Sequence, residues 1–174
     1  MKRVMIIGSP GAGKSVFARR LHELTGLPLY HLDSIWHKPD RTNISREEFD
    51  ARLDAILAEE EWIIDGNYRR TIEKRLAFCD TVILMDYPTE VCLSGAAARV
   101  GTRHPDLPWV ETELNEEFRQ YILRFREEET PRIYELIGRY REGRKVVVFH
   151  DREESEAFLR ESAARRTCDP GSAI

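Results

Sequence analysis

Residues 5–17 read "MIIGSPGAGKSVF", three glycines, a lysine and a serine set between two apolar stretches. Within them, Gly8-Ser9-Pro10-Gly11-Ala12-Gly13-Lys14-Ser15 satisfies the pattern G-x-x-x-x-G-K-[ST] in full. A predicted strand runs into this segment and a predicted helix leaves it, which is the context that gives the pattern meaning. The glycines let successive backbone N–H groups curl inward on an anion, and the helix N-terminus adds partial positive charge. Lys14 supplies a mobile cation for β- and γ-phosphates, and Ser15 offers a hydroxyl to Mg²⁺. Gly8 through Val16 are thus the expected cradle for ATP.

Outward from this loop, short apolar runs at 3–7, 27–32, 62–65, 81–86 and 145–149 read as strands. Several are apolar at consecutive positions, as in sheets covered on both faces. Helical patterns lie between them. Phe17, Leu21 and Leu24 share one face, and Ser45 with Glu48 caps a helix carrying Phe49, Leu53, Ile56 and Leu57. Further helices are expected over 89–102, 113–128 and 132–140, and a last one follows Asp151 and Glu154. Strands alternating with helices imply βαβ units, hence an α/β fold with a parallel sheet. Residues 1–160 read as one domain, with residues 161–174 as a loose tail.

The 174 residues carry a net charge of -4, which argues against a general nucleic-acid surface. No apolar run approaches the ~20 residues that cross a bilayer, and no signal-like segment opens the chain. Cys79, Cys92 and Cys168 lack CxxC spacing, so neither a disulfide framework nor a zinc knuckle is indicated. A cytoplasmic protein is expected, monomeric or homodimeric.

A phosphate-binding loop alone does not separate kinase from GTPase or motor ATPase. No N-K-x-D tetrapeptide occurs to read guanine, and the chain is short for an assembling motor. Further stretches point to a small phosphotransferase. In "WIIDGNYRR", Asp65 ends a strand at the edge where such sheets bind ligands, placed to hold Mg²⁺ through water; Gly66 allows a close approach, and Arg69 and Arg70 reach toward substrate phosphate. Asp86 competes for the metal role but leads into Tyr87-Pro88 and a new helix, which favours Asp65. In "LPLYHLDSIWHKPD", Asp33 is placed to take a proton from an attacking hydroxyl, with Trp36 as an apolar wall. In "AARVGTRH", Arg99 and Arg103 stand four apart on one helical face, a repulsive pairing relieved by an anion or an aromatic ring. His31 and His37 lack further ligands nearby for a metal site.

Taken together, these segments resemble the adenylate-kinase-like branch of P-loop kinases. There "DG-aromatic-P-R" follows the third strand and R-x-x-x-R opens the lid. "HLDSIWHKP" and "WIIDGNYRRT" look closer still to the DNA topology modulation (FlaR-like) proteins. The resemblance implies a five-stranded parallel sheet in order 2-3-1-4-5, with Lys14, Ser15 and Asp65 serving ATP and Mg²⁺. It also implies Arg99 by adenine, Arg103 by the phosphates, and a base contact through backbone in "FHDREE". Residues 34–61 would form the acceptor side and residues 100–130 a short lid. Lid arginines Arg119, Arg124, Arg126 and Arg132 are all available to phosphate. Asn67-Tyr68 stands where true adenylate kinases carry Phe-Pro, which argues against AMP.

The expected activity is Mg²⁺-dependent transfer of the ATP γ-phosphate to a small acceptor, nucleotide or nucleoside-like, with Lys14, Asp33 and Arg103 catalytic. Two rival readings stay open: an ATP-dependent regulator of DNA topology or protein binding, and a kinase of a non-nucleotide metabolite.

Overall fold

Strand β1 (Arg3–Gly8) runs through the centre of the sheet and delivers the chain directly into the phosphate-binding loop. The computed structural model describes residues 1–167, with side chains to 164. β2 (Leu29–His31), β3 (Trp62–Asp65), β4 (Thr81–Met85) and β5 (Lys145–Phe149) complete a five-stranded, all-parallel sheet in the order β2-β3-β1-β4-β5. This is the order expected from the sequence.

Alternation along β1 sends Met5 and Ile7 to one face and Val4 and Ile6 to the other. The first face packs on α3 (Arg46–Leu57), α4 (Ile72–Phe78) and α7 (Thr130–Arg139) through Phe49, Leu53, Leu76 and Ile133. The second packs on α1 (Lys14–Thr25), α5 (Thr89–Ala97) and α8 (Arg152–Thr167) through Phe17, Leu21, Cys92 and Leu159. α6 (Glu116–Glu128) belongs to both, giving Phe125 to one cluster and Ile122 to the other. A short α2 (Leu32–Trp36) follows β2 without a break.

The caps form as their residue types require. Ser45 accepts from the Glu48 N–H at 3.1 Å, although the Glu48 side chain turns to Arg52 instead of reaching back. At α8 the box is reciprocal: Glu154 N–H donates to Asp151 at 2.9 Å, and His150 N–H donates to Glu154 at 2.6 Å. Three expectations change. The helix from Thr89 stops at Ala97, so Arg99 and Arg103 do not share a helical face; residues 98–101 form a turn in which Gly101 sits at φ 77°. α8 continues through Thr167, so the tail expected from 161 begins as helix, and residues 168–174, Cys168 among them, lie outside the described residues. α4 and the 3₁₀ turn Arg69–Thr71 before it were not foreseen.

Two contacts lock the loop region. Gly11, at φ 79°, lies so close to α5 that a β-carbon would overlap the Cys92 carbonyl, and one on Gly95 would overlap the Gly11 carbonyl. On the opposite side of the loop, fully buried Arg75 of α4 donates to the carbonyls of Gly66 (2.7 Å), Asn67 and Thr71 (3.3 Å). Burial pulls its guanidinium down to about 9, against the raising influence of Asp65, so it stays charged at neutral pH.

Arg75→Met is expected to strand those carbonyls and cost about 3 kcal/mol, read as a lower urea midpoint at unchanged slope. Gly95→Ala, which ought to stabilise an ordinary helix by up to about 1 kcal/mol, is expected instead to destabilise and to weaken ATP binding. Denaturation and calorimetry on the same preparation check both.

Candidate functional site

The phosphate-binding loop turns into α1 at Gly13, whose left-handed N-cap leaves the first-turn N–H groups without a side-chain cap, and no acidic residue stands in that turn. Those free donors face the cavity, as an anion site requires. Behind the loop, the Asn67 side-chain oxygen accepts from the Gly8 N–H at 3.1 Å, and Ser9 is nearly buried. Lys14 Nζ donates to the Ser9 carbonyl at 3.0 Å; burial pushes the ammonium below its ordinary value, against the pull of Asp65 and Asp33.

Two cavities meet at the loop. The first, about 380 Å³, is bounded by the loop residues Gly11 to Val16, by Arg19 and Arg20 of α1, by Arg99 and His104, and by Arg152, Ser155 and Leu159 of α8. The second, about 290 Å³, lies between Pro10, Asp33, Asp65, Gly66, Tyr68 and Trp109. Gly11, Lys14, Ser15 and Arg99 line both.

The two carboxylates across from the loop differ in their surroundings. Asp65, 4% exposed, is bonded on one oxygen to His31 Nδ1 at 2.9 Å, while its other oxygen is buried with no hydrogen-bond partner. Asp33 stands in the first turn of α2, after the strand and not at its end, and accepts from the Tyr68 hydroxyl at 2.8 Å. Burial pushes the Asp33 carboxyl up, and the Tyr68 hydrogen bond opposes that shift. The bare Asp65 oxygen and the Ser15 hydroxyl suit Mg²⁺, which takes one or two protein oxygens and leaves its other positions to water and phosphate. No cluster of three or more His, Cys, Asp or Glu able to hold a metal exists among the described residues, in keeping with so sparse a donor set.

Several expected site residues stand elsewhere. Arg69 pairs with Glu129 at 3.2 Å, and Arg70 grips Asp50 through two bonds of 2.6 and 2.7 Å; neither lines either of these two cavities. Arg103 is exposed and lines neither, because the turn after α5 carries it off the helix axis. Trp36 does not line the second cavity; it stands edge-on to Phe49 and Tyr68, and Tyr68 and Trp109 are the aromatic residues at that wall. Asp86 accepts from the Tyr134 hydroxyl at 3.0 Å and lines neither cavity. Arg119, Arg124, Arg126 and Arg132 line neither cavity, and Arg119, Arg126 and Arg132 pair with Glu116, Asp86 and Glu129. Of the segment "FHDREE" after β5, Arg152 lines the first cavity, followed by Ser155, Glu156 and Leu159 of α8.

No motif or periodicity marks Asp106. It is 1% exposed; Arg99 donates to one of its oxygens at 2.9 Å, and the other lies 3.6 Å from Arg19. Burial alone would raise Asp106, but the Arg99 guanidinium outweighs it and holds the carboxyl below its ordinary value. Ser34 donates to the Asp106 carbonyl at 3.0 Å, and Trp109 meets the His37 ring edge-on, so the loop after α5 is fastened to the α2 region.

No model of a known protein family matches the chain. Adenylate kinases of Thermotoga petrophila and Thermotoga maritima are each 29% identical over 94 residues, covering 52% of this chain and 42% of theirs. The match thus takes in less than half the length of these relatives. Among solved structures, shikimate kinase from Bacteroides thetaiotaomicron superposes with a TM-score of 0.60 at 14% identity, covering 95% of this chain and 98% of its own. Shikimate kinase from Acinetobacter baumannii, in complex with shikimate, gives 0.54 at 15% identity over 99% and 96%. A gluconokinase from Sinorhizobium meliloti gives 0.50 at 15% identity over 97% of each chain. The sheet order, the helices on both faces and the loop after β1 are those of the P-loop kinase fold.

Proposed function

We propose that this chain is an ATP-dependent kinase that moves the γ-phosphate to a hydroxyl of a small acceptor, with Mg²⁺ as the accompanying ion. One observation carries the reading: two cavities, of about 380 and 290 Å³, open onto the same lysine and serine of the phosphate-binding loop. A nucleotide in the first puts its terminal phosphate at the mouth of the second, which is the alignment phosphoryl transfer needs. A regulator that phosphorylates nothing has no use for the second cavity, and the likeness of "HLDSIWHKP" to topology modulation proteins does not itself supply a DNA surface. The adenylate, shikimate and gluconate kinases among the similar proteins support the same class.

Each residue then has a task. The loop N–H groups and Lys14 hold the β- and γ-phosphates. Ser15 and Asp65 would hold Mg²⁺, which would supply charge neutralisation for the transferred group. The acceptor oxygen bonds to the γ-phosphorus, the bond to the bridging oxygen of ADP breaks, and the hydroxyl proton passes to the Asp33 carboxylate. Tyr68 orients that carboxylate through its hydrogen bond. Residues 34–61 form the acceptor side, and residues 100–130 form the lid that excludes water. No helix of the described residues is long and apolar enough to cross a membrane, and the free thiols of Cys79 and Cys92 suit a cytoplasmic setting.

ADP release, measured over nucleoside monophosphates, nucleosides and small hydroxylated metabolites, tests the reading. Lys14→Ala is expected to weaken ATP binding about tenfold or more. Asp33→Asn is expected to keep ATP affinity and lose about 10²-fold or more in turnover; unchanged turnover removes Asp33 from the chemistry.

The pH profile follows from the same group. The active form is the ionised carboxylate, and burial raises its pKa, so the acid limb of kcat/KM lies above the ordinary carboxylate value of about 4. The Tyr68 hydroxyl favours the ionised form. Its loss in Tyr68→Phe therefore moves the limb to higher pH, and a limb that stays put or falls contradicts the assignment.

A further inference from the structure

We infer that the second cavity selects an acceptor with no phosphate or carboxylate of its own: an uncharged, hydroxyl-bearing ring compound of about nucleoside size. The inference rests on the kinase reading and narrows its acceptor.

Recognition of an anionic acceptor calls for a free guanidinium or ammonium aimed into its cavity. Among the described residues lining this cavity, the fixed cations are Lys14 and Arg99, against the carboxylates Asp33, Asp65 and Glu111. Neither cation is available. Lys14 sits at the mouth shared with the nucleotide cavity, and Arg99 is held by Asp106 at 2.9 Å and Glu111 at 3.5 Å. Of the other cations on the acceptor side, Arg69 pairs with Glu129, Arg70 with Asp50 and Arg52 with Glu48, while Arg41 stacks over the Trp109 ring at 5.9 Å without lining the cavity. A bound triphosphate adds more negative charge next door, so a second anion meets carboxylates and phosphates without a partner.

The remaining lining fits a neutral ring. Tyr68, Trp109, Phe118 and Tyr121 bring aromatic surface from three separate segments of the chain, suited to the face of a planar or near-planar ligand. The Asp33 oxygens accept from an acceptor hydroxyl, which is also the group to be phosphorylated. At about 290 Å³ the space lies at the small end of ligand cavities, roughly 300–1,000 Å³. That excludes a dinucleotide or a long-chain acceptor.

The full chain, with ATP and Mg²⁺, is assayed by coupled ADP release against three sets. These are nucleosides together with ribose and myo-inositol; the corresponding 5′-monophosphates; and the carboxylated hydroxy compounds shikimate and gluconate. The expected result is stimulation of about tenfold or more by a member of the uncharged set, with the matching monophosphates and both carboxylates within about twofold of the acceptor-free rate. Stimulation by a monophosphate or a carboxylate, with none from the uncharged set, overturns the inference and leaves the kinase reading standing. No stimulation by any compound overturns both. In Trp109→Ala the acceptor KM is expected to rise about tenfold with the ATP KM within about twofold, the pattern of a residue that touches only the acceptor. An unaltered acceptor KM in that variant counts against the aromatic wall.

Discussion

Backbone against backbone, Gly11 of the loop and Gly95 of α5 sit where no side chain could be inserted, and the geometry of the cleft depends on that contact. The loop is also tied at its start, where Asn67 receives the Gly8 N–H. A turn rich in glycine is floppy in isolation, since each such residue loses more freedom on ordering than any other. Pinned between α5 on one flank and the β3 turn on the other, it becomes a rigid cradle whose N–H groups are aimed before any ligand arrives. Preorganised donors of this kind stabilise charge without a reorganisation cost at the moment of reaction.

The β3 turn needs an anchor of its own, because Tyr68 adopts φ 35°, a conformation that costs a residue with a side chain of order 1–3 kcal/mol. Arg75 offsets that cost by satisfying the carbonyls on both sides of the turn from within the core. Phe49 adds to the hold by stacking on the Tyr68 ring at 5.0 Å. The strained backbone swings the phenol across to Asp33. A charge buried in α4 thus helps hold the turn that carries this hydroxyl, and the hydroxyl opposes the upward push that burial gives the Asp33 carboxyl.

What could be read from the sequence follows from how local each signal is. The loop, the strands and the caps at Ser45 and Asp151 depend on neighbours a few residues away, and they stand where spacing put them. Asp65 depends only on ending a strand of the sheet. The arginines were harder. Arg69, Arg70 and Arg103 follow motifs by position, but which way a long side chain turns depends on distant carboxylates such as Glu129 and Asp50, whose proximity no spacing rule reveals. Arg75 stands in no motif, and only the fold shows that it is fully buried. Asp106 and Trp109 lie in a loop without periodicity, so neither a helical nor a strand pattern could single them out.

Unmet polar atoms trace the cleft independently of any motif. Among the described residues, the buried side-chain atoms lacking a hydrogen bond are Arg19 Nη1, Arg99 Nε, Asp106 Oδ1, Asp65 Oδ1 and Trp62 Nε1, and the first four belong to residues that line the two cavities. Each such atom costs about 1–3 kcal/mol compared with a bonded one, so a fold keeps them together only where something offsets the loss. Here Arg19 and Arg99 share the Asp106 carboxylate, and Glu111 lies 3.5 Å from Arg99, so two cations face two carboxylates beside the phosphate-binding loop. The described residues are therefore least satisfied beside the phosphate-binding loop. A nucleotide bound there, as proposed, would bind the folded state alone and so offset that cost.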